Sequence, residues 1–365
     1  VEGRSGSDTL CLLALETTCD ETAAAIVEGP REGGYAPAVR SSVIASQFEL
    51  HERFGGVVPE IAARAHLERL LPVIQEALDR SEVRLDQLDA IAVATRPGLV
   101  GSLVVGVTAA KALALVLGVP IVDVDHLDAH LFACQLAEPD RSVFPAVGLV
   151  VSGGHTSLFD CPAALEARLL GGTRDDAAGE AFDKVASLLG LGFPGGPAIE
   201  RAARQGNPHA YAFPRAFKSD LRLEFSFSGL KTAVLYTLRS LSDQTVPQLD
   251  IEVVADLAAS FQEAVVDVLV CKARRALELS GYRRLLVGGG VAANRRLREE
   301  LARVGQCDGV EVVIPSQTLC TDNAAMVGAV GWAKAQRRLF GTFDLDVSAG
   351  LVRPASATTP GPCEP

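Results

Sequence analysis

The chain has 365 residues, 48% of them hydrophobic, enough for two domains of ordinary size with a core each. Lys and Arg number 34 against 45 Asp and Glu, a formal charge of −11, which excludes adhesion to nucleic acid or membrane through net charge and leaves only a local basic surface for such partners. The 8 cysteines are scattered singly with no CxxC, which excludes a zinc knuckle and is the usage of a reducing, cytoplasmic compartment.

The first nine residues are polar, begin on Val1 and lack a signal-peptide apolar core; they are expected to be a flexible, trimmed end. Residues 10–15 and 23–27 read as strands around the polar loop Glu16-Thr17-Thr18-Cys19-Asp20-Glu21-Thr22. Its acids and hydroxyls suit a metal, a water or a proton transfer, and equally a solvated turn. Residues 60–80 form an amphipathic helix with more apolar positions (Ile61, Ala65, Leu67, Leu71, Ile74, Leu78) than one face needs. Residues 90–94 are a buried strand. The apolar stretch 100–124 has Lys111 at its middle and Pro120 near its end. A membrane span does not tolerate that charge well, so the stretch is expected to be a glycine-rich turn, a buried helix over 102–117 and a strand over 121–124.

His126 opens a helix reaching to about residue 137. In Asp125-His126-Leu127-Asp128-Ala129-His130 the two histidines are four apart, one above the other on one face, in a chain with only 6 histidines. Two imidazoles so placed are half of a metal site, or a chance pair of surface polar residues. Pro139-Asp140-Arg141-Ser142 breaks the pattern and marks the boundary between domains. The pattern then recurs: a strand over 147–151, the turn Ser152-Gly153-Gly154-His155 and a strand over 156–159. Short strands alternating with helices give an α/β class. Ser152-Gly153-Gly154 offers amides and missing Cβ atoms to an anion, or is a plain hairpin turn.

Further helices are expected near 179–189 and over 251–280. Asp176, Glu180 and Asp183 are spaced to share one helical face, with Asp183 nearest its apolar side. Gly192-Phe193-Pro194-Gly195-Gly196-Pro197 is a glycine turn before a helix. Strand 285–287 runs into Gly288-Gly289-Gly290 and a helix starting near Asn294, a layout that serves nucleotide sites; Asn294 either bonds a base or ribose or caps the helix. A strand over 310–314 follows. Asp322, at the start of the last helix, is an N-cap or the third ligand to the histidine pair. Two histidines and a carboxylate leave positions open for substrate, as catalytic zinc and non-haem iron sites do. The tail from 355, rich in Pro and Thr, is expected to be flexible.

Taken together, ETTCDETAAAIV, HERFGGVVPEIAARAH, PGLVGSLVVG, HLDAHLFA, LVVSGGHTSL, DDAAGEAFDK, GFPGGPAIE, FSFSGLKTA, GGGVAANRRLR and CTDNAAM resemble, in order and from about residue 10 to 352, one family. It is the universal tRNA threonylcarbamoyladenosine transferases, in their bacterial TsaD form, once labelled O-sialoglycoprotein endopeptidases. The resemblance implies a two-lobed actin/hexokinase-like (ASKHA) α/β fold with a nucleotide cleft between lobes. The lobes would be 10–138, with a helix at about 323–340 returning to it, and 142–322. It implies His126, His130 and Asp322 as ligands of one divalent metal, iron more than zinc, and Asp20 and Glu21 as acids facing the reaction centre. The nucleotide part of the substrate would lie against Val150, Val151, Ser152, Gly153, Gly154, Asp183, Gly196 and Asn294.

There are departures. Leu-Asp-Ala stands between the histidines where a Glu-Gly pair is usual, and Ala94-Thr95-Arg96-Pro97-Gly98 replaces Thr-x-Gly-Pro-Gly. Archaeal and eukaryotic relatives have a tyrosine ligand where this chain has Val150, so a bacterial site with three protein ligands is implied. The implied activity is transfer of threonylcarbamoyl from threonylcarbamoyl-AMP to N6 of the adenosine 3′ of the anticodon. Implied partners are tRNA, a TsaB-like paralogue and a TsaE-like ATPase, with no membrane. A small-molecule kinase of this fold and an ATP-binding scaffold are the alternatives. A zincin protease needs His-Glu-x-x-His, and position 127 is leucine.

Overall fold

The computed structural model describes residues 8–241 and 250–350; the expectations for 1–7 and for 355–365 lie outside them. The first half runs β1 (Thr9–Glu16), β2 (Glu21–Pro30), β3 (Ala38–Ser46), α1 (Phe48–His51), α2 (Pro59–Ser81), β4 (Ala90–Arg96), α3 (Val100–Leu117), β5 (Ile121–Asp125) and α4 (His126–Ala137). The second runs β6 (Ala146–Val151), β7 (Thr156–Ala163), β8 (Glu166–Gly172), α5 (Ala178–Leu188), α6 (Gly195–Ala203), α7 (Ser228–Leu241), α8 (Ile251–Ser280), β9 (Arg284–Gly288), α9 (Arg295–Asp308), β10 (Glu311–Val313), α10 (Gln317–Cys320) and α11 (Ala324–Gln336).

The two sheets have one topology written twice. The first is ordered β3-β2-β1-β4-β5 and the second β8-β7-β6-β9-β10. In each, three antiparallel strands (β1–β3; β6–β8) are followed by two parallel ones, the first pairing with β1 (or β6) and the second with the first. Strands β1, β4 and β6 carry unbroken apolar runs (residues 10–15, 90–94 and 146–151) because both faces are covered, which removes the alternation of a half-exposed strand. Edge strands β3 and β8 had no clear signal in the sequence. They are half exposed and carry Arg, Ser and Glu on the open side, as edges that must not pair with strangers do.

The helix that ends each half then crosses over. α4 follows the first sheet yet packs against β6 and β9 of the second. Its Leu127, Leu131 and Cys134 join Val150, Phe159 and Leu286 in an apolar cluster. α11 follows the second sheet and packs on β1, β2 and β4 of the first, where Trp332 is fully buried. The crossing helices also pack against each other. Small residues let α11 lie close on the first sheet: a Cβ on Gly331 would stand 2.4 Å from the Ala92 Cβ, and one on Gly328 2.7 Å from Val27.

Several expectations change. Hairpin loop 16–22 shrinks to 17–20, because Glu16 and Glu21–Thr22 are paired strand residues. Asp176 lies before α5, not on its face, and its carboxylate accepts from Lys184 Nζ at 2.6 Å. The helix expected to be wholly buried over 102–117 is buried on one face only. It is long and apolar enough to cross a membrane but lies on β4 and α2, with Lys111 donating to the Leu345 carbonyl at 2.7 Å. The family-breaking Arg96 sits between Asp123 and Asp125, 3.6 and 3.4 Å away.

Candidate active site

The crossing helices bring the site together. Asp125 caps α4 by accepting from the Leu127 amide at 2.9 Å, which starts the helix at His126. Helical spacing then sets His130 one turn on, the two rings 4.6 Å apart and edge-on. Asp322 arrives at the opposite end of the chain, just before α11. The cap of α11 is Asn323, whose Oδ1 accepts from the Met326 amide at 3.0 Å. Asp322 is therefore not the cap and its carboxylate is left for the histidines. Its Oδ1 lies 3.5 Å from His126 Nε2 and 3.3 Å from His130 Nε2.

The three donor atoms all lie within 4.8 Å of one another. Both ring nitrogens of His130 are buried without a well-directed hydrogen bond among the described residues, so the Asp322 approach is close but not aimed along a bond. A buried polar ring left in that state is costly unless something else shares its lone pair. The other side of the set is also arranged for a cation. Glu16, fully buried, accepts from His126 Nδ1 at 3.0 Å, which turns Nε2 toward the centre. The donor set thus fits a divalent metal. Without a cation, burial opposes charging His126, but Asp322 and Glu16 outweigh it and push its pKa up to about 9. Burial lowers that of His130 instead. Burial works against Asp322 too, but the two histidines hold its carboxyl far below the usual range.

Glu21 of the first lobe lies near Asp322: burial, Asp322 and Asp20 all raise its pKa. His155, at the end of the Ser152-Gly153-Gly154-His155 turn, lies near the histidine pair: burial and the two other imidazoles press its pKa down to about 4. The turn alone does not mark His155; its nearness to His126 and His130 appears only in the folded chain.

The residues expected to hold a nucleotide separate into two kinds. Val150 and Val151 point into the apolar clusters, so only the end of their strand can face a ligand. Ser152 closes its own turn, its Oγ accepting from the His155 amide at 3.2 Å. At Gly153, Gly154 and Gly196 an added Cβ would meet nothing within 4 Å: these glycines border open space. Gly179, Gly195 and Gly289 are glycines for the chain's own sake. A Cβ there would stand 2.6 Å from Ser152 O, 2.4 Å from Asp183 Cα and 2.3 Å from Val151 O. Asn294 does cap α9, accepting from the Leu297 amide at 3.0 Å, while its amide donates to Gln262 at 2.8 Å.

Asp183 accepts from the Gly195 amide at 2.7 Å. Burial pushes its pKa up from 3.8 to about 6, the Gly195 bond partly offsetting and Asp20 across the cleft adding to the rise. A carboxyl raised in the folded state contributes stability that is full below its unfolded value and lost as pH climbs through the folded one. Asp183→Asn keeps the acceptor and removes the charge. It is expected to melt above wild type over pH 6 and together with it near pH 4, as thermal denaturation at the two pH values would read.

A family profile described as TsaD: tRNA N6-adenosine threonylcarbamoyltransferase matches residues 38–329. The chain is 54% identical over 354 residues to a tRNA N6-adenosine threonylcarbamoyltransferase of Rhodopirellula baltica, covering 94% of this chain and 97% of the relative. It is 51% identical over 343 residues to the enzyme of that name from Moorella thermoacetica, covering 93% and 96%. Among solved structures, full-length HypF in its phosphate- and nucleotide-bound form superimposes with a TM-score of 0.56 at 14% identity, over 92% of this chain and 47% of HypF, a likeness of fold with its two-lobed α/β plan. With two curated relatives matched nearly end to end and most of its length under one profile, the chain belongs to the tRNA N6-adenosine threonylcarbamoyltransferase family.

Proposed function

We propose that the protein transfers a threonylcarbamoyl group from threonylcarbamoyl-AMP to N6 of the adenosine 3′ of the anticodon, in tRNAs reading codons that begin with A, and releases AMP. The observation that carries this reading is the convergence of buried His126 and His130 with Asp322 at the meeting of two lobes, in a chain of this family. The three residues would hold one divalent cation, iron or zinc, the donor set suiting both. When bound, such an ion stabilises negative charge developing on phosphate or carbonyl oxygens. The chain's own part is binding and placement. Gly153, Gly154 and Gly196 leave room for the nucleotide, with Asp183 and the α9 start at Asn294 beside it. An exocyclic amine of adenine is a weak nucleophile, so holding it against the activated carbonyl supplies much of the rate. Asp20 and Glu21 are the candidates to accept its proton.

Incubating the metal-loaded protein and its partners with threonylcarbamoyl-AMP and unmodified tRNA, then digesting the tRNA for mass spectrometry, tests this directly. Absence of the modified nucleoside would refute it. A kinase of the same fold would instead phosphorylate a small molecule, and a scaffold would turn over nothing. Protease chemistry has no base here: Leu127, in the place of the zincin glutamate, is packed in the apolar cluster behind α4.

We place the lobe division at 139–142, with the helix after Asp322 returned to the first; sheet membership supports it for the strands, while α4, before the division in sequence, packs on β6 and β9 of the second, and a cytoplasmic setting agrees with the proposed activity. A TsaB-like paralogue would bind the outer face of α2 and α3, and a TsaE-like ATPase would complete the assembly. Of the apolar residues on α2, Ala65, Ile74 and Leu78 are core, but Leu67 and Leu71 are each 67% exposed. Next to them α3 exposes Val100, Val104, Leu115 and Val116. An apolar stripe spanning two packed helices is the surface of a binding face, and Arg64 and Arg69 border it. Leu67→Asp and Leu71→Asp should each abolish pull-down of the paralogue without lowering the melting temperature, since neither side chain is core. Undiminished capture by both variants would move the interface elsewhere.

A further inference from the structure

We propose that His51, Gln47 and His66 form a one-directional hydrogen-bonded relay that positions the loop 17–20, and Glu21 at the start of β2, at the reaction centre. The proposal rests on the reading of Asp20 and Glu21 as reaction-side acids given above.

The relay has fixed ends. Val58 N can only donate, and it lies 3.2 Å from His51 Nδ1. The Cys19 carbonyl can only accept, and it lies 3.0 Å from His66 Nε2. Between them His51 Nε2 stands 3.3 Å from Gln47 Oε1, and Gln47 Nε2 stands 3.3 Å from His66 Nδ1. With the first group a donor and the last an acceptor, every bond must point the same way. Each neutral ring then carries its proton on Nε2 and accepts on Nδ1, and the Gln47 amide has one orientation. The closer donor to the single His66 Nδ1 lone pair is the Thr22 hydroxyl at 2.8 Å, which itself accepts from Gln47 Nε2 at 3.4 Å, so Gln47 reaches the ring through Thr22 in the same direction.

All three relay side chains are fully buried. Burial lowers the pKa of both histidines; Asp20 opposes this at each, Glu16 also at His66, and Arg69 assists. Neutral rings are what the directional chain requires. Its output is the backbone of the acid loop. His66 holds the Cys19 carbonyl, and the Gln47 backbone amide donates to the Asp20 carbonyl at 3.0 Å. The carbonyls on either side of the Asp20 Cα are therefore pinned, that of Cys19 by α2 and that of Asp20 by the β3–α1 segment. The same segment reaches the other lobe: Phe48 stacks on Phe193, rings 5.8 Å apart and 8° from parallel, just before Gly195 and Gly196. Burying so many polar groups is costly unless all are bonded. Apolar residues would join α2 to the loop without that cost but would not fix the loop's carbonyls.

The experiment compares His66→Gln, His66→Asn and Gln47→Glu. Glutamine can present an N–H near the place of His66 Nε2; asparagine is one bond too short. Glutamate at 47 cannot donate to His66. With threonylcarbamoyl-AMP and tRNA, His66→Gln should keep kcat within a few-fold. His66→Asn and Gln47→Glu should lose roughly 10- to 100-fold in kcat, the size of effect typical when a supporting hydrogen bond behind a reactive group is lost. KM and bound metal should not change. Independently, ¹⁵N spectra of the histidine-labelled wild-type protein at neutral pH should show both rings as Nε2–H tautomers. Wild-type kcat in His66→Asn, or a proton on Nδ1 of either ring, would overturn the relay. If Asp20→Asn and Glu21→Gln both turn over normally, the acid-loop reading falls and the relay with it. If they abolish turnover while His66→Asn does not, only the relay falls.

Discussion

His126→Ala is expected to remove bound metal and reduce tRNA modification by about 10³-fold or more, and His126→Ala/His130→Ala to leave neither. A metal acting on developing charge supplies several kcal/mol, and about 1.4 kcal/mol is a factor of ten in rate, so losing one of three ligands removes most of that gain. The fold should survive, because the core around α4 is built by Leu127, Leu131, Phe132 and Cys134, not by the histidines. Glu16→Gln gives a graded control. It keeps the residue's size but weakens the partner on His126 Nδ1 at 3.0 Å, and such losses cost roughly 10- to 100-fold in metal affinity or activity. Metal analysis of the purified variants and the mass-spectrometric assay read both effects. Stoichiometric metal in the double variant would refute the ligand assignment.

Gly196→Val and Gly289→Val should fail in opposite ways. A Cβ at Gly196 meets open space within 4 Å, so valine there should fold normally and weaken AMP binding by roughly 10-fold or more, filling volume that the nucleotide needs. Gly289 has φ +94 and its Cβ would lie 2.3 Å from the Val151 carbonyl oxygen. With ψ 159 this is a glycine-only combination of positive φ and extended ψ, which costs a branched residue about 1–3 kcal/mol, and crowding the packed strand costs about 1–3 more. That variant should melt lower whether or not nucleotide is present. Calorimetry with AMP, run beside thermal denaturation, separates the two. Equal AMP affinity in Gly196→Val and wild type would place the nucleotide elsewhere. In the sequence both glycines are equivalent probes of a pocket; only the neighbours of each Cβ distinguish space for a ligand from space the chain itself occupies.

Much of the local structure was legible because its causes are local. Runs such as residues 10–15 and 147–151 are strands buried on both faces. The spacing of His126 and His130 is a property of one helix, set one residue after its Asp125 cap. Helix 251–280 reads from its length and its glycine stop at Gly281. Signals shared between functions were less decisive. Asp322 and Asn323 are both good capping residues, and which of them caps is settled by which carbonyl oxygen meets the Met326 amide. Asp176, Glu180 and Asp183 fit one helical face by spacing, but α5 begins after the first of them.

The α/β class, the repeated strand–turn–strand opening, the histidine pair and the glycine turns all follow from patterns a few residues long and are readable in the residues. Only folding shows that α4 and α11 each reach across from the sheet they follow to pack on the other. That exchange carries Asp322 to histidines from the other half of the chain and places Glu16 behind one of them. It depends on how whole surfaces fit, with Gly328 and Gly331 letting α11 lie close on the first sheet, and no local periodicity encodes which of two similar sheets a helix will choose. Leu67 and Leu71 show the same limit: their spacing marks an apolar stripe, but whether the stripe faces core or solvent is fixed only when α3 takes its place beside α2.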